Sequence, residues 1–362
     1  MSLDIRTRPD VRVLIIDDSA FMRTALSRMI SSELGFEVVG TACSGPDALE
    51  KIPTLDPDVI TLDVEMPGLN GLETLHRIMA EFPRPVIMVS AVTEKDADTT
   101  FNALGAGAFD YIPKQMSSAS LDILHIRQDL VNKVHAAAAA RRKGPTSAIV
   151  RKPPRPSPAD PRKTGSSTPS IVAVGSSTGG PKALQEILPH LPADLSVPIL
   201  IVQHMPPGFT APFAQRLNNL CAVRVREAAH RDPIEPGVVY IAPAGQHMTV
   251  NRSSDSHACI QLDTQPEHCL HMPSVDVMMK SVAANYRSHA MGVILTGMGA
   301  DGAEGMMAIH RQGGLTIGQD EATCTVYGMP RACAELGTLT RVVPLAQVPA
   351  QIMQATRSRR RA

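Results

Sequence analysis

The sequence predicts two α/β domains joined by a polar linker. Three observations carry this. Five apolar strand-like runs alternate with helical stretches over residues 1–125, the pattern of a doubly wound parallel sheet. Residues 144–169 are rich in Pro, Ser and basic side chains and have no apolar period. A second strand–helix alternation then starts at residue 170. The chain has 362 residues, and at roughly 150 per domain that is two domains. The expected bounds are a first domain at 1–125, a linker at 126–169, a second domain at 170–356 and a basic tail at 357–362.

In the first domain the strands fall at 11–16 (VRVLII), 36–42, 58–62, 85–90 and 108–112. In the second, strand-like 170–174 leads into Gly175-Ser-Ser-Thr-Gly-Gly180 and a helix, and 197–203 (VPILIVQ) ends at His204. Runs at 237–242 and 248–251 are expected to form a hairpin. A helix spans about 274–287. A strand at 291–296 enters the loop Gly297–Gly302 ahead of a helix, and another strand at 314–318 precedes a helix from about 328.

Composition narrows the function classes. Apolar residues make up 43% and charged residues 19%, so the chain can bury cores. Tryptophan is absent and aromatics reach 3%, so these cores must be aliphatic and methionine-filled, Met278, Met279, Met306 and Met307 among them. The net charge is +0, which argues against a generally basic nucleic-acid binder. That zero hides an asymmetry. Residues 1–125 hold 10 Lys+Arg against 19 Asp+Glu, net −9, and the remainder 25 against 16, net +9. The six cysteines are scattered without a C-x-x-C pair, and the start is polar, so reduced thiols and a cytoplasmic location are expected. No apolar run approaches the roughly 18 residues of a membrane span, so direct membrane insertion is not expected.

Two constellations carry chemistry. In the first, Asp17 and Asp18 follow the first strand, Asp63 the third, Ser90 ends the fourth, and Lys114 lies past the fifth. Strand C-termini of a parallel sheet line one rim, so these residues can converge. Three carboxylates there repel one another, and an oxygen-seeking cation such as Mg²⁺ relieves the repulsion. Asp63 could then take a phosphoryl group, with Ser90 and Lys114 on its oxygens. Taken singly, each residue also suits an ordinary loop or helix cap.

Residues 11–125 resemble the receiver domain of two-component response regulators, through IIDDS (15–19), LDVEMPGLNG (62–71), VSA (89–91) and Tyr111-Ile-Pro-Lys114. The resemblance implies that Asp63 accepts phosphate from a histidine kinase and that Ser90 and Tyr111 respond. One departure is Gln115, where the family has proline.

In the second constellation Ser177 sits between strand and helix in a run that fits G-x-S-x-G from Gly175 to Gly179. The helix N-terminus offers N–H groups to an oxyanion. A serine hydroxyl needs a base. His204 ends the next apolar strand, and Asp301 lies beyond the strand at 291–296. The order Ser…His…Asp differs from that of the α/β-hydrolases. The Gly-Ser-Thr loop also suits a phosphate cradle, His204 a structural role and Asp301 a helix cap. A non-catalytic, phosphorylation-dependent binding module is the alternative function, and it needs no chemistry at Ser177.

Residues 170–350 resemble the catalytic domain of the chemotaxis protein-glutamate methylesterase family, CheB. The matching runs are VGSSTGGP (174–181), VQHMPPGF (202–209), APAGQHM (242–248), PSVDVMMKSVA (273–283) and LTGMGADGAEGM (295–306). The resemblance implies Ser177 as nucleophile, chosen over Ser176 because it precedes Thr-Gly-Gly. It implies His204 as base and then acid, Asp301 as orienting group, and the Met298 N–H in the oxyanion hole. The implied substrates are glutamyl methyl esters on cytoplasmic helices of chemoreceptors, with methanol released and receptor glutamines deamidated as a related activity. No cofactor is implied for that chemistry. It further implies that the acidic receiver restrains the Ser177 site until Asp63 is phosphorylated. His271 and Ser274 are expected on the substrate side. His257, Cys259, His268 and Cys269 fit no closed zinc pattern.

Overall fold

The computed structural model describes residues 11–91, 93–114, 120–143, 167–252, 258–267 and 269–357. The chain divides into two compact units, Met1–Pro145 and Thr146–Ala362.

In the first unit β1 (Val11–Ile16), β2 (Phe36–Ala42), β3 (Val59–Asp63), β4 (Val86–Ser90) and β5 (Asp110–Pro113) alternate with α1 (Ala20–Ser31), α2 (Gly45–Leu55), α3 (Gly71–Glu81), α4 (Glu94–Gly105) and α5 (Ser120–Lys143). The strands form one sheet in the order β2-β1-β3-β4-β5, every pair parallel. Helices on both faces leave the central strands no wet side, which is why β1 is apolar from Val13 to Ile16; these four residues are fully buried. Side-chain caps start the helices where the rim residues lie. Ser19 Oγ accepts from Met22 N–H, and Asn70 and Glu73 form a reciprocal capping box.

The expected linker start at residue 126 is corrected here. Residues 126–143 are helical and belong to α5. Leu130, Val131, Val134, Ala137 and Ala138 are buried, and most of them pack with Val13, Ile15, Leu26 and Ile30. The alanine run at 136–140, in a stretch whose sequence is compatible with a helix over 121–143, lets α5 lie close on the sheet. Arg141 then ties the helix end to Asp58 at 2.9 Å and Asp56 at 3.0 Å. Residues 144–166 and the tail 358–362 lie outside the described residues, as do Gln115, His257 and His268.

The second unit has a seven-stranded parallel sheet in the order β14-β13-β12-β6-β7-β9-β8. Its strands are β6 (Ile171–Ser176), β7 (Ile199–Gln203), β8 (Arg224–Glu227), β9 (Val238–Ile241), β12 (Ala290–Ile294), β13 (Leu315–Gln319) and β14 (Arg341–Val343). A separate antiparallel ribbon joins β10 (His247–Arg252) to β11 (Ala258–Asp263). The helices are α6 (Gly180–Ile187), α7 (Thr210–Leu220), α8 (Val275–Tyr286), α9 (Ala303–Arg311), α10 (Met329–Glu335) and α11 (Val348–Thr356).

The hairpin expected from 237–242 and 248–251 does not form. All four residues of β9 are buried, as suits a strand between β7 and β8 in the main sheet. β10 buries its first half and exposes its end, and Val250 N–H donates to Ser281 Oγ on α8. Two apolar runs close in sequence thus went to different sheets, because one has the polarity of a fully covered strand and the other does not. Met248, Met278, Met279, Met306 and Met329 fill the core beside β6 and β12, whereas Met307 is half-buried.

β6 lies between β7 on one side and β12 on the other. The chain leaves β6 toward β7 and later returns on the opposite side, so the loops after β6, β7 and β12 border one crevice at the strands' carboxyl ends. In open α/β sheets that switch point is where ligands bind.

Candidate active site and phosphoacceptor site

Ser177 is the first residue past β6, and its N–H donates to Thr296 O at 3.1 Å beyond β12. Gly179 has φ +75°, a conformation open to glycine, and turns the chain into α6. The turn leaves Ser177 partly exposed and Ser176 fully buried. The Ser176 hydroxyl is already used, donating to Gln203 Oε1 at 2.6 Å. Of the two serines, only Ser177 is presented to the crevice.

His204 is the first residue past β7, and its N–H donates to Ser176 O at 3.1 Å, which sets it beside the Ser177 turn. Its Nε2–H donates to Asp301 Oδ2 at 2.8 Å. With Nε2 carrying the proton, Nδ1 is the basic nitrogen of the neutral ring. Nδ1 is buried and has no hydrogen-bond partner among the described residues, so Ser177 Oγ is not bonded to it here. Catalytic hydrogen bonds are commonly long until substrate binds.

Asp301 is heavily tied. It also accepts from Ser274 Oγ at 2.9 Å, Val275 N–H at 2.8 Å and Asp276 N–H at 3.0 Å, the last two in the first turn of α8. Burial alone would raise its carboxyl. The His204 hydrogen bond and charge and these N–H groups outweigh burial and hold it well below the usual carboxylate range. Asp301 therefore stays ionised and fixes the imidazole tautomer.

The loop Gly297–Gly302 closes the far side. A Cβ on Gly297 would lie 2.9 Å from Ser177 Cβ and 3.0 Å from Ser177 N, so this backbone touches the serine directly. Met298, half-buried, follows it. The structure ties both residues expected on the substrate side to the His204–Asp301 pair. Ser274 is buried, caps α8 and donates its hydroxyl to Asp301. The His271 ring stacks on His204, centroids 4.0 Å apart with 24° between planes. Sequence reasoning missed Gln203, whose Nε2 donates to the carbonyls of both Ser177 and His204 at 2.9 Å. The available signal was a glutamine ending an otherwise apolar, fully buried strand.

In the first unit the carboxylates of Asp17, Asp18 and Asp63 converge, with one oxygen from each within 4.8 Å of the others. Lys114 Nζ lies 2.6 Å from Asp63 Oδ2 and 3.4 Å from Asp17 Oδ2. Burial raises Asp17, and burial together with Asp17 pushes Asp63 up to about 6 against the pull of Lys114. Apart from Lys114, neither buried Oδ2 atom has a polar partner among the described residues. Hard, under-bonded carboxylate oxygens at this spacing fit a divalent oxygen-seeking cation. Ser90 sits at the end of β4, accepting from Thr100 Oγ1 at 2.7 Å and donating to Ala91 O at 3.1 Å. Tyr111 is buried on β5 edge-on to Phe101, and its carbonyl accepts from Lys133 Nζ of α5 at 2.7 Å.

An acid cluster in one unit and a hydroxyl–imidazole–carboxylate edge in the other describe a response regulator whose output is a hydrolase. Comparison with known proteins agrees. Residues 172–352 match the CheB methylesterase family, and residues 13–124 match the response regulator receiver domain. The chain is 46% identical to a protein-glutamate methylesterase/protein-glutamine glutaminase of Symbiobacterium thermophilum, over 97% of this chain and 98% of that protein. It is 42% identical to the Bacillus subtilis protein so named, over 97% of this chain and 99% of that one. The crystal structure of the Thermotoga maritima CheB methylesterase catalytic domain matches with a TM-score of 0.50 and 38% identity, covering 52% of this chain and 99% of that one. This chain belongs to the CheB methylesterase family. Among the described residues no helix is long and apolar enough to cross a membrane.

Proposed function

We propose that this chain is a phosphorylation-gated protein-glutamate methylesterase acting on cytoplasmic helices of chemoreceptors, and that it also deamidates receptor glutamines. The observation that carries the reading is the His204–Asp301 pair, with an unpartnered Nδ1, beside the one serine left free to react.

Ser177 Oγ attacks the γ-carbonyl of a glutamyl methyl ester while Nδ1 of His204 takes its proton. Asp301 stabilises the imidazolium that forms. The Met298 N–H, next to the glycine that touches Ser177, faces the oxyanion. Collapse breaks the ester C–O bond, and the His204 proton leaves with methanol. Water, deprotonated by His204, then releases the glutamyl carboxylate from the acyl-enzyme. With glutamine the same attack expels ammonia.

Asp63 is the phosphoacceptor, and a histidine kinase is the donor. Asp17, Asp18 and Asp63 would hold Mg²⁺, which supplies charge neutralisation for phosphoryl transfer. Lys114 pairs with the acceptor carboxylate, and Ser90 and Tyr111 respond to the added charge. In the unphosphorylated state the acidic receiver restrains the catalytic unit, and phosphorylation releases it.

The test is methanol release from methylated receptor membranes, with and without a small phosphodonor and Mg²⁺. Wild type should release methanol, faster with the phosphodonor. Asp63→Asn should lose that stimulation, and Ser177→Ala should release none. Equal release by Ser177→Ala would remove the nucleophile assignment and favour the binding-module reading.

A further inference from the structure

Gln203 ends β7 in register with Ser176 at the end of β6. The next pair along, Ser177 and His204, lies beyond the strands, where ladder hydrogen bonding gives way to loops. The Ser177 carbonyl also accepts from Gly180 N–H at 2.8 Å, and the His204 carbonyl lies in the loop just past β7. One side chain serves both: Gln203 Nε2 donates to Ser177 O at 2.9 Å and to His204 O at 2.9 Å. Its orientation follows from chemistry. Two carbonyls require the NH₂ end, and the Ser176 hydroxyl at 2.6 Å donates to the oxygen end. The side chain is 1% exposed, so it touches no substrate. A second observation shows that the neighbourhood is built around it. A Cβ on Gly180 would lie 2.0 Å from Gln203 Oε1 and 2.8 Å from Ser176 Cβ. The glycine that opens α6 is therefore the space the amide fills.

We infer that Gln203 is a positioning residue that holds the Ser177 and His204 turns in one fixed relation through a single amide. The inference rests on the proposed roles of Ser177 and His204. Those two side chains arise from separate strands and are not hydrogen-bonded to each other here. Their approach geometry is thus left to the backbone beneath them, and Gln203 is the side chain that binds both pieces of that backbone. A displacement near 1 Å at a reacting centre can cost about 10²-fold in rate.

The test compares wild type with Gln203→Met, which keeps length but loses both donors, and Gln203→Glu, which sets an oxygen against the two carbonyls. Gly180→Ala presses on the amide from the opposite side and serves even where a Gln203 variant does not fold. Ser177→Ala is the control. Three readings are taken below each variant's unfolding temperature: kcat and KM for methanol release, and the rate of fluorophosphonate labelling at Ser177. The expected result is a fall of roughly 10- to 100-fold in kcat and in labelling rate together, with KM within about twofold. Folded variants with wild-type kcat and labelling, or with a change confined to KM, would overturn the inference while leaving the nucleophile assignment intact. Undiminished methanol release by Ser177→Ala would instead sink the reading on which it rests.

Discussion

Asp301 accepts four hydrogen bonds through two oxygens, from His204, Ser274 and the N–H groups of Val275 and Asp276. An asparagine there has one acceptor oxygen, and its NH₂ would face other donors. Asp301→Asn should leave the fold in place and lower kcat by roughly 10³- to 10⁴-fold, read from methanol release, because the imidazole loses its fixed tautomer. Retained activity would show that Asp301 merely caps α8. The receiver has a residue that titrates in the opposite sense. Burial pushes the Asp63 carboxyl up to about 6 from its ordinary 3.8. Between those values the native state binds the proton more tightly than the unfolded chain, so stability falls as pH rises through that window. Asp63→Asn removes the charge that burial penalises. In buffer free of divalent cations it should stabilise the first unit at pH 7 by on the order of 1–3 kcal/mol, with the gain vanishing near pH 4. Thermal unfolding at the two pH values measures it. A variant less stable at pH 7 would mean that the Lys114 ion pair outweighs burial.

At the scale of elements, the Gly297–Gly302 loop works by contact. Gly297 has no side chain because Ser177 and Met329 occupy its surroundings; a Cβ would meet Met329 Sδ at 2.2 Å as well as the serine. The methionine can swing aside, but the serine backbone is held by Thr296 O. Gly297→Ala should therefore cost about 1–3 kcal/mol of stability by overpacking. It should also lower kcat by about 10²-fold by moving Ser177. Unfolding curves and methanol release give the two readings; a stable variant with normal kcat would show that the loop yields. α5 teaches a different lesson about elements. Its alanines carry no amphipathic signal, yet two of them are buried on the sheet and Arg141 anchors its end. Small side chains are invisible to a hydrophobic pattern and well suited to close packing. β9 and β10, close in sequence, likewise pair in different sheets, β9 in the covered main sheet and β10 in the ribbon.

At the scale of the whole chain, residues 1–145 hold 15 Lys+Arg against 20 Asp+Glu, net −5, and residues 146–362 hold 20 against 15, net +5, with the basic excess outside 170–356. If the receiver restrains the catalytic unit by attraction between these charges, salt weakens the restraint. Basal methanol release by the unphosphorylated chain should rise with ionic strength, and deletion of 1–165 should raise it at low salt and remove the salt response. A deletion no more active than the full chain would overturn the gate.

Read alone, the residues determined the two α/β units, the strands that lead into Asp63, Ser90, Ser177 and His204, and the candidate groups at those ends. These are consequences of local order: apolar runs of strand length, glycine where a turn needs it, and a polar residue at the point where burial stops. The tertiary structure decided what depends on neighbours remote in sequence. It placed Asp301 Oδ2 on His204 Nε2 across 97 positions, bonded Ser274 to Asp301, and stacked His271 on His204. It spent the Ser176 hydroxyl on Gln203 and so left Ser177 as the serine facing the crevice. The physical reason is that a hydrogen bond's partner, and the carboxyl pKa that follows from it, are set by distances across a closed sheet edge, which no one-dimensional spacing encodes.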